Sequence, residues 1–157
     1  MRLVSFLFVI VLVTSFVNKP YINKVVKVNK IIYYAVDDLP FSEENLMIVI
    51  KRMGIRFPEI VFAQARLETG HFTSKSFVRH NNLFGMKLAK SRLTVATGES
   101  LGHAKYDHWT YSVMDYALFQ STFARKIRTR SGYLKYLRCN YAEDGSYVDK
   151  IVKIINL

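Results

Sequence analysis

At 157 residues, half of them hydrophobic, the chain is long enough for one compact domain with a real core and too short for two. Its 23 Lys and Arg against 12 Asp and Glu give a formal charge of +11, which steers it toward polyanions. The basic residues are scattered, with no zinc-ligand spacing and no basic recognition helix, so a specific nucleic-acid partner is not expected; an anionic cell wall or membrane surface explains the charge equally well, and charge alone does not choose between them.

The N-terminus opens with Met1-Arg2 and an apolar run from Leu3 to Val17, interrupted only by Ser5, Thr14 and Ser15. A positive residue before such a run marks residues 1–18 as a secretory signal, and the missing Ala-x-Ala site leaves an uncleaved membrane anchor open. Either way the rest of the chain is expected to be exported: periplasmic, at the cell surface or secreted. Residues 19–38 read as a tether in which Lys19, Lys24, Lys27 and Lys30 alternate with valines and isoleucines. The folded domain is expected over 39–157.

Ser42 caps a predicted helix with Glu43 and Glu44 in its first turn and Leu46, Ile50 and Met53 on its apolar stripe. Pro58 opens a second helix, along which Ile60, Ala63, Gln64, Leu67 and Glu68 share one side, and Gly70 sits where it would stop. Thr73 to His80 reads as a short polar segment. Leu93 to Tyr106 reads as a β-hairpin with glycines in its loop. Ser112 with Asp115 resembles a capping box, with the helix behind it running to about Ile127. Two further helices are predicted at Tyr133–Cys139 and Tyr147–Ile155. The single cysteine, Cys139, excludes an intramolecular disulfide and a cysteine-rich zinc site, and reads as a small buried hydrophobe.

Glu68 is the residue with the clearest chemical potential. Placed in the last turn of a helix beside apolar neighbours, its carboxylate meets the negative end of the helix dipole and loses solvent. Both effects raise its pKa. A carboxyl that stays protonated near neutral pH can protonate a leaving oxygen. His71, His103 and His108 form no metal-ligand spacing.

The run Ala63-Gln64-Ala65-Arg66-Leu67-Glu68-Thr69-Gly70-His71-Phe72, then Ser74, then Asn81-Asn82-Leu83-Phe84-Gly85-Met86-Lys87, resembles the signature of the bacterial glucosaminidase family. Tyr106 to Tyr116 resembles that family's aromatic segment and following helix, and Tyr141-Ala142-Glu143-Asp144 its closing motif. The resemblance runs from about Ser42 onward, with three motifs in order.

That resemblance implies a mainly α (α+β), lysozyme-like fold: a helical lobe, a small β-hairpin lobe and a glycan groove between them. It also implies cleavage of the β-1,4 bond between N-acetylglucosamine and N-acetylmuramic acid in peptidoglycan, with Glu68 as the acid and neither metal nor organic cofactor. A monomer acting on glycan strands is expected. The second catalytic group is open among Glu99 in the hairpin, Asp107, and the substrate's own acetamido group, which Tyr141 would orient. Gln64, Asn81, Asn82, Phe84, Tyr106 and Trp109 are the candidate substrate-binding residues. The asparagines could bind sugar acetamides or their own loop, and Phe84 and Trp109 could form groove floor or core. A lytic transglycosylase or muramidase on the same fold, or an inactive wall-binding protein, are the alternative readings.

Overall fold

The computed structural model describes residues 39–141 and 144–156. The expected signal and tether, residues 1–18 and 19–38, lie outside the described residues, as do Ala142 and Glu143 of the closing motif.

Among the described residues, six helices and a two-stranded ribbon follow one another along the chain. Helix α1, Glu43–Arg52, begins where Ser42 Oγ accepts the Asn45 N–H at 3.0 Å and ends with Lys51 and Arg52. Its ends therefore match the helix dipole in both directions. Helix α2, Pro58–Glu68, opens with proline at its first position and buries Ile60, Val61, Ala63, Gln64 and Ala65. It packs against both α1 and the last helix, which makes it the centre of the core.

The chain leaves α2 through Gly70, His71 and Phe72, all with positive φ. Thr69 holds this turn, its hydroxyl donating to Ala65 O at 2.6 Å and accepting from Phe72 N at 2.9 Å. Helix α3, Lys75–His80, then occupies what reads in sequence as a polar segment. Its six residues are too few to show an amphipathic period, and what forms it is local: Ser74 caps its start and Asn81, at φ 56°, ends it.

The hairpin is shorter than its sequence suggests. Only β1, Gly98–Ser100, and β2, His103–Lys105, form the antiparallel ladder, with Glu99 opposite Ala104 and Ser100 opposite His103. Leu101 and Gly102 make the turn, both at positive φ.

Helix α4, Trp109–Phe123, starts three residues before the expected capping box. His108 is the cap, and the two supposed box residues serve the interior: Ser112 Oγ accepts from Leu83 N at 3.0 Å and Asp115 is fully buried. The helix ends before Ile127 because the Arg56 guanidinium takes the carbonyls of Ala124, Arg125 and Ile127. Helix α5, Arg130–Asn140, is longer than predicted, started by Thr129, whose hydroxyl accepts from Gly132 N. Cys139 on this helix is exposed, contrary to the buried reading. Helix α6, Tyr147–Ile155, has the predicted bounds and lays Tyr147, Val148 and Ile151 against α2.

Candidate active site

Glu68 is the last residue of α2, half-buried at the edge of the helical core. Oε1 accepts the Tyr147 hydroxyl at 2.7 Å. Gln64, one turn earlier and so on the same face of α2, donates its Nε2 to the Tyr147 oxygen at 3.2 Å. Its Oε1 accepts from Tyr116, whose hydroxyl meets that of Tyr133 at 2.6 Å. A continuous chain of buried polar groups thus runs from α5 through α4 and α2 to the carboxylate. Burial pushes the phenols of Tyr116, Tyr133 and Tyr147 above their ordinary range, so each keeps its proton to donate.

The loop Asn81–Lys87 forms the other wall. Asn82 Nδ2 donates to Met86 O and Ala104 O, both at 2.9 Å, while its Oδ1 accepts from Phe84 N and Met86 N. One side chain therefore pins the loop to the ribbon. Asn81 Nδ2 adds a bond to Tyr106 O. The loop brings Gly85 against the acid so closely that a Cβ there would lie 3.1 Å from Glu68 Oε2. Gly85 also has a φ of 61°, so glycine suits this position on both counts. His103 Nδ1 lies 3.1 Å from Gly85 O, and the Tyr141 hydroxyl donates to Phe84 O at 2.9 Å.

Burial raises the pKa of Glu68, and it outweighs the Tyr147 hydrogen bond and the charge of His103, which both lower it. A half-buried carboxyl of raised pKa, fixed through one oxygen, is a competent proton donor. It opens on a cleft of about 520 Å³ whose walls include Lys87, Arg92, Phe119, Phe123 and Tyr141. Phe123 is 49% exposed, a ring face available to a sugar. Lys87 is exposed, whereas Arg92 is committed: its two terminal nitrogens reach the two Asp115 oxygens at 2.8 Å each. Among the described residues lining this cleft, Glu68 is the one carboxylate.

The other expected site residues divide. Gln64, Asn82, Phe84, Tyr106 and Trp109 are each at most 3% exposed, which leaves their side chains almost no surface for a ligand. Gln64 and Asn82 satisfy internal polar groups, and the Tyr106 hydroxyl donates to Asp115 at 2.9 Å. Phe84 packs on Tyr116, and Trp109 meets the edge of Phe41. These five build the walls from behind. Asn81 is half-buried on the loop, Tyr141 is beside Glu68 in the cleft, and Glu99 and Asp107 are exposed. Paired strand residues share a face, so Glu99 lies with Ala104 on the face opposite His103, the residue that approaches Gly85. Sequence reasoning missed Tyr147, Lys87, His103, Phe119 and Phe123. Of these, Lys87 alone carried a local signal, as the end of the Gly85-Met86-Lys87 stretch.

Comparison with known proteins agrees with this architecture. The family described as mannosyl-glycoprotein endo-beta-N-acetylglucosaminidase matches residues 44–157. Protein bax of Escherichia coli (strain K12) is 37% identical over 68 residues, which cover 43% of this chain and 25% of that protein, so the match spans about a quarter of that relative. Among solved structures, a chain of a type VI secretion system effector–immunity complex from Pseudomonas protegens superposes with a TM-score of 0.55 at 18% identity, covering 73% of this chain and 88% of that one. A peptidoglycan hydrolase mutant from Sphingomonas sp. A1 gives 0.52 at 24% identity, over 71% and 89% of the two chains. The catalytic domain of the autolysin Auto from Listeria monocytogenes gives 0.50 at 23%, over 73% and 78%. At these identities the structural likeness is one of fold: mostly helical, lysozyme-like, with a small antiparallel ribbon. The chain belongs to the glucosaminidase family of glycoside hydrolases.

Proposed function

We propose that the chain is a peptidoglycan hydrolase that cleaves the β-1,4 bond between N-acetylglucosamine and N-acetylmuramic acid, with Glu68 as general acid. The observation that carries this reading is the Glu68 carboxyl itself: half-buried, raised in pKa, hydrogen-bonded by Tyr147 and open to the cleft. Family membership supports the glycosidase chemistry, and the Sphingomonas protein, a peptidoglycan hydrolase by name, supports the substrate.

In this reading Glu68 gives its proton to the bridging oxygen as the bond from the anomeric carbon of N-acetylglucosamine breaks. Among the described residues lining the cleft Glu68 is the carboxylate, and in this reading the substrate's acetamido oxygen is the group that attacks that carbon. Glu68, now ionised, takes a proton from the water that opens the resulting ring. Tyr141, tethered to Phe84 O, orients the acetamido group. Residues 1–18 would export the enzyme to its substrate.

Glu68→Gln is expected to lower clearing of a peptidoglycan zymogram by about 10²–10⁴-fold with the fold intact. Unchanged clearing would remove the central claim. Muropeptide mass spectrometry of the digest should find N-acetylglucosamine at the new reducing ends; muramic or anhydromuramic ends would instead support a muramidase or lytic transglycosylase. Glu99→Gln should cost less than about a hundredfold, the least a general base supplies. A larger loss would assign Glu99 that role.

A further inference from the structure

A second concavity of about 530 Å³ lies where the turn after α1 meets α4, and it shares no lining residue with the catalytic cleft. Met114, Ala117, Leu118 and Ser121 form its α4 wall at i, i+3, i+4 and i+7 spacing, whereas Phe119 and Phe123 face the cleft. The two hollows therefore occupy different sides of one helix. The floor of the second is apolar, from Met53, Ile55, Met114 and Leu118, and its rim is Arg56, Arg125 and Arg128.

This rim is built. Gln120, 4% exposed, accepts from Arg56 N at 2.8 Å and donates to Arg56 O at 3.0 Å, clamping that backbone. The Arg56 guanidinium in turn bonds three main-chain carbonyls of the 124–127 turn, those of Ala124, Arg125 and Ile127, the first at 2.5 Å. That turn presents Arg125 and Arg128 to solvent. All three arginines are satisfied by neutral groups or by none: among the described residues no carboxylate pairs with them, and no acidic residue lines the hollow. Lys51, Arg52 and Lys126 are exposed close by in sequence, and the neighbouring Glu59 is engaged by Arg130 at 3.9 Å.

We propose that this hollow docks the phosphate of an anionic phospholipid headgroup, holding the domain on a bilayer surface with the catalytic cleft on the other side of α4. Cations at the rim supply the phosphate complement. The apolar floor chooses the lipid over a hydrophilic phosphate polymer, because Met53, Met114 and Leu118 gain only from an amphiphile that brings apolar surface to cover them. Docking there leaves the cleft open to a glycan strand.

The test is vesicle partitioning of the full chain, comparing phosphatidylcholine alone with equal parts phosphatidylcholine and phosphatidylglycerol. The apolar run at residues 3–17 favours both vesicle types, so the ratio between them is the readout. The ratio should fall about thirtyfold in the double variant Arg125→Gln/Arg128→Gln, at about fivefold per cation near an anionic surface. Its hydrolysis of soluble muropeptides should remain that of the parent, which separates loss of docking from loss of the catalytic site. An unchanged ratio in the double variant would overturn the proposal. So would displacement from the mixed vesicles by soluble poly(glycerol phosphate) at matched phosphate concentration, since the hollow would then read phosphate without lipid.

Discussion

Gly85 shows how a single backbone position conditions the acid. Its φ of 61° disfavours a side chain, and a methyl group there would lie 3.1 Å from Glu68 Oε2, close enough that the carboxylate would have to shift. Gly85→Ala is expected to displace the carboxylate or the loop, lowering activity by tenfold or more, with about 1–2 kcal/mol lost to the left-handed backbone. Zymography paired with urea denaturation separates the two effects; full activity in a folded variant would mean that Glu68 does not depend on this contact. Tyr147 acts in the opposite sense, since its hydrogen bond to the ionised form lowers a pKa that burial raises. Tyr147→Phe should therefore raise the Glu68 pKa further and move the alkaline limb of the pH–activity profile upward, because the acid then stays protonated to higher pH. A limb that stays or moves down would contradict that coupling. Glu68 stands in a recognisable motif; Tyr147 does not. It lies 79 positions away, and only the packing of α6 on α2 makes them neighbours.

At the scale of elements, the loop before the ribbon and helix α4 are joined by a buried ion pair. Arg92 and Asp115 have side chains 5% and 0% exposed, and the Tyr106 hydroxyl donates a further hydrogen bond to Asp115. Burial alone would raise the Asp115 pKa, but hydrogen bonds from Arg92, Thr94 and Tyr106 and the Arg92 charge hold it below its ordinary value. A depressed carboxylate contributes stability that is present above its unfolded pKa, about 3.9, and is lost as pH falls through the lower folded value. Arg92→Met should remove about 3–5 kcal/mol in urea denaturation at neutral pH, because it leaves Asp115 buried without a counter-charge. The double variant Arg92→Met/Asp115→Leu should recover much of that; no recovery would mean that the loss came from packing. Sequence periodicity misread Asp115 as half of a capping box because a box and a buried acid share the same Ser-x-x-Asp string. The difference lies in Arg92, 23 positions upstream. Helix α3 was illegible for another reason, being a single capped stretch whose stability comes from its ends.

For the molecule as a whole, α1 and α2 were legible because each buries a stripe at helical spacing behind a recognisable start, Ser42 and Pro58, whereas the ends of α4 and α5 were not. The assignment of side chains to wall or groove was not, because burial is decided by partners distant in sequence. Gln64 and Asn82 look like ligand-binding residues in their motifs and prove to be the internal struts of the site. The charge of +11, in contrast, is a property of composition and predicts kinetics directly. Under the proposed function an insoluble, anionic wall would attract the whole surface of the protein, and that attraction would be screened as the Debye length falls from about 10 Å at 0.1 M salt to about 3 Å at 1 M. Under the proposed function a soluble glycan fragment would be bound by the cleft, where Glu68 and its partners lie within contact distances that salt screens weakly. Raising salt from 0.1 to 1 M should therefore raise the apparent KM on intact wall several-fold while leaving kcat, and both constants on neutral soluble fragments, nearly unchanged. Equal salt sensitivity on the two substrates would place the charge effect inside the cleft, at Lys87, rather than on the surface at large.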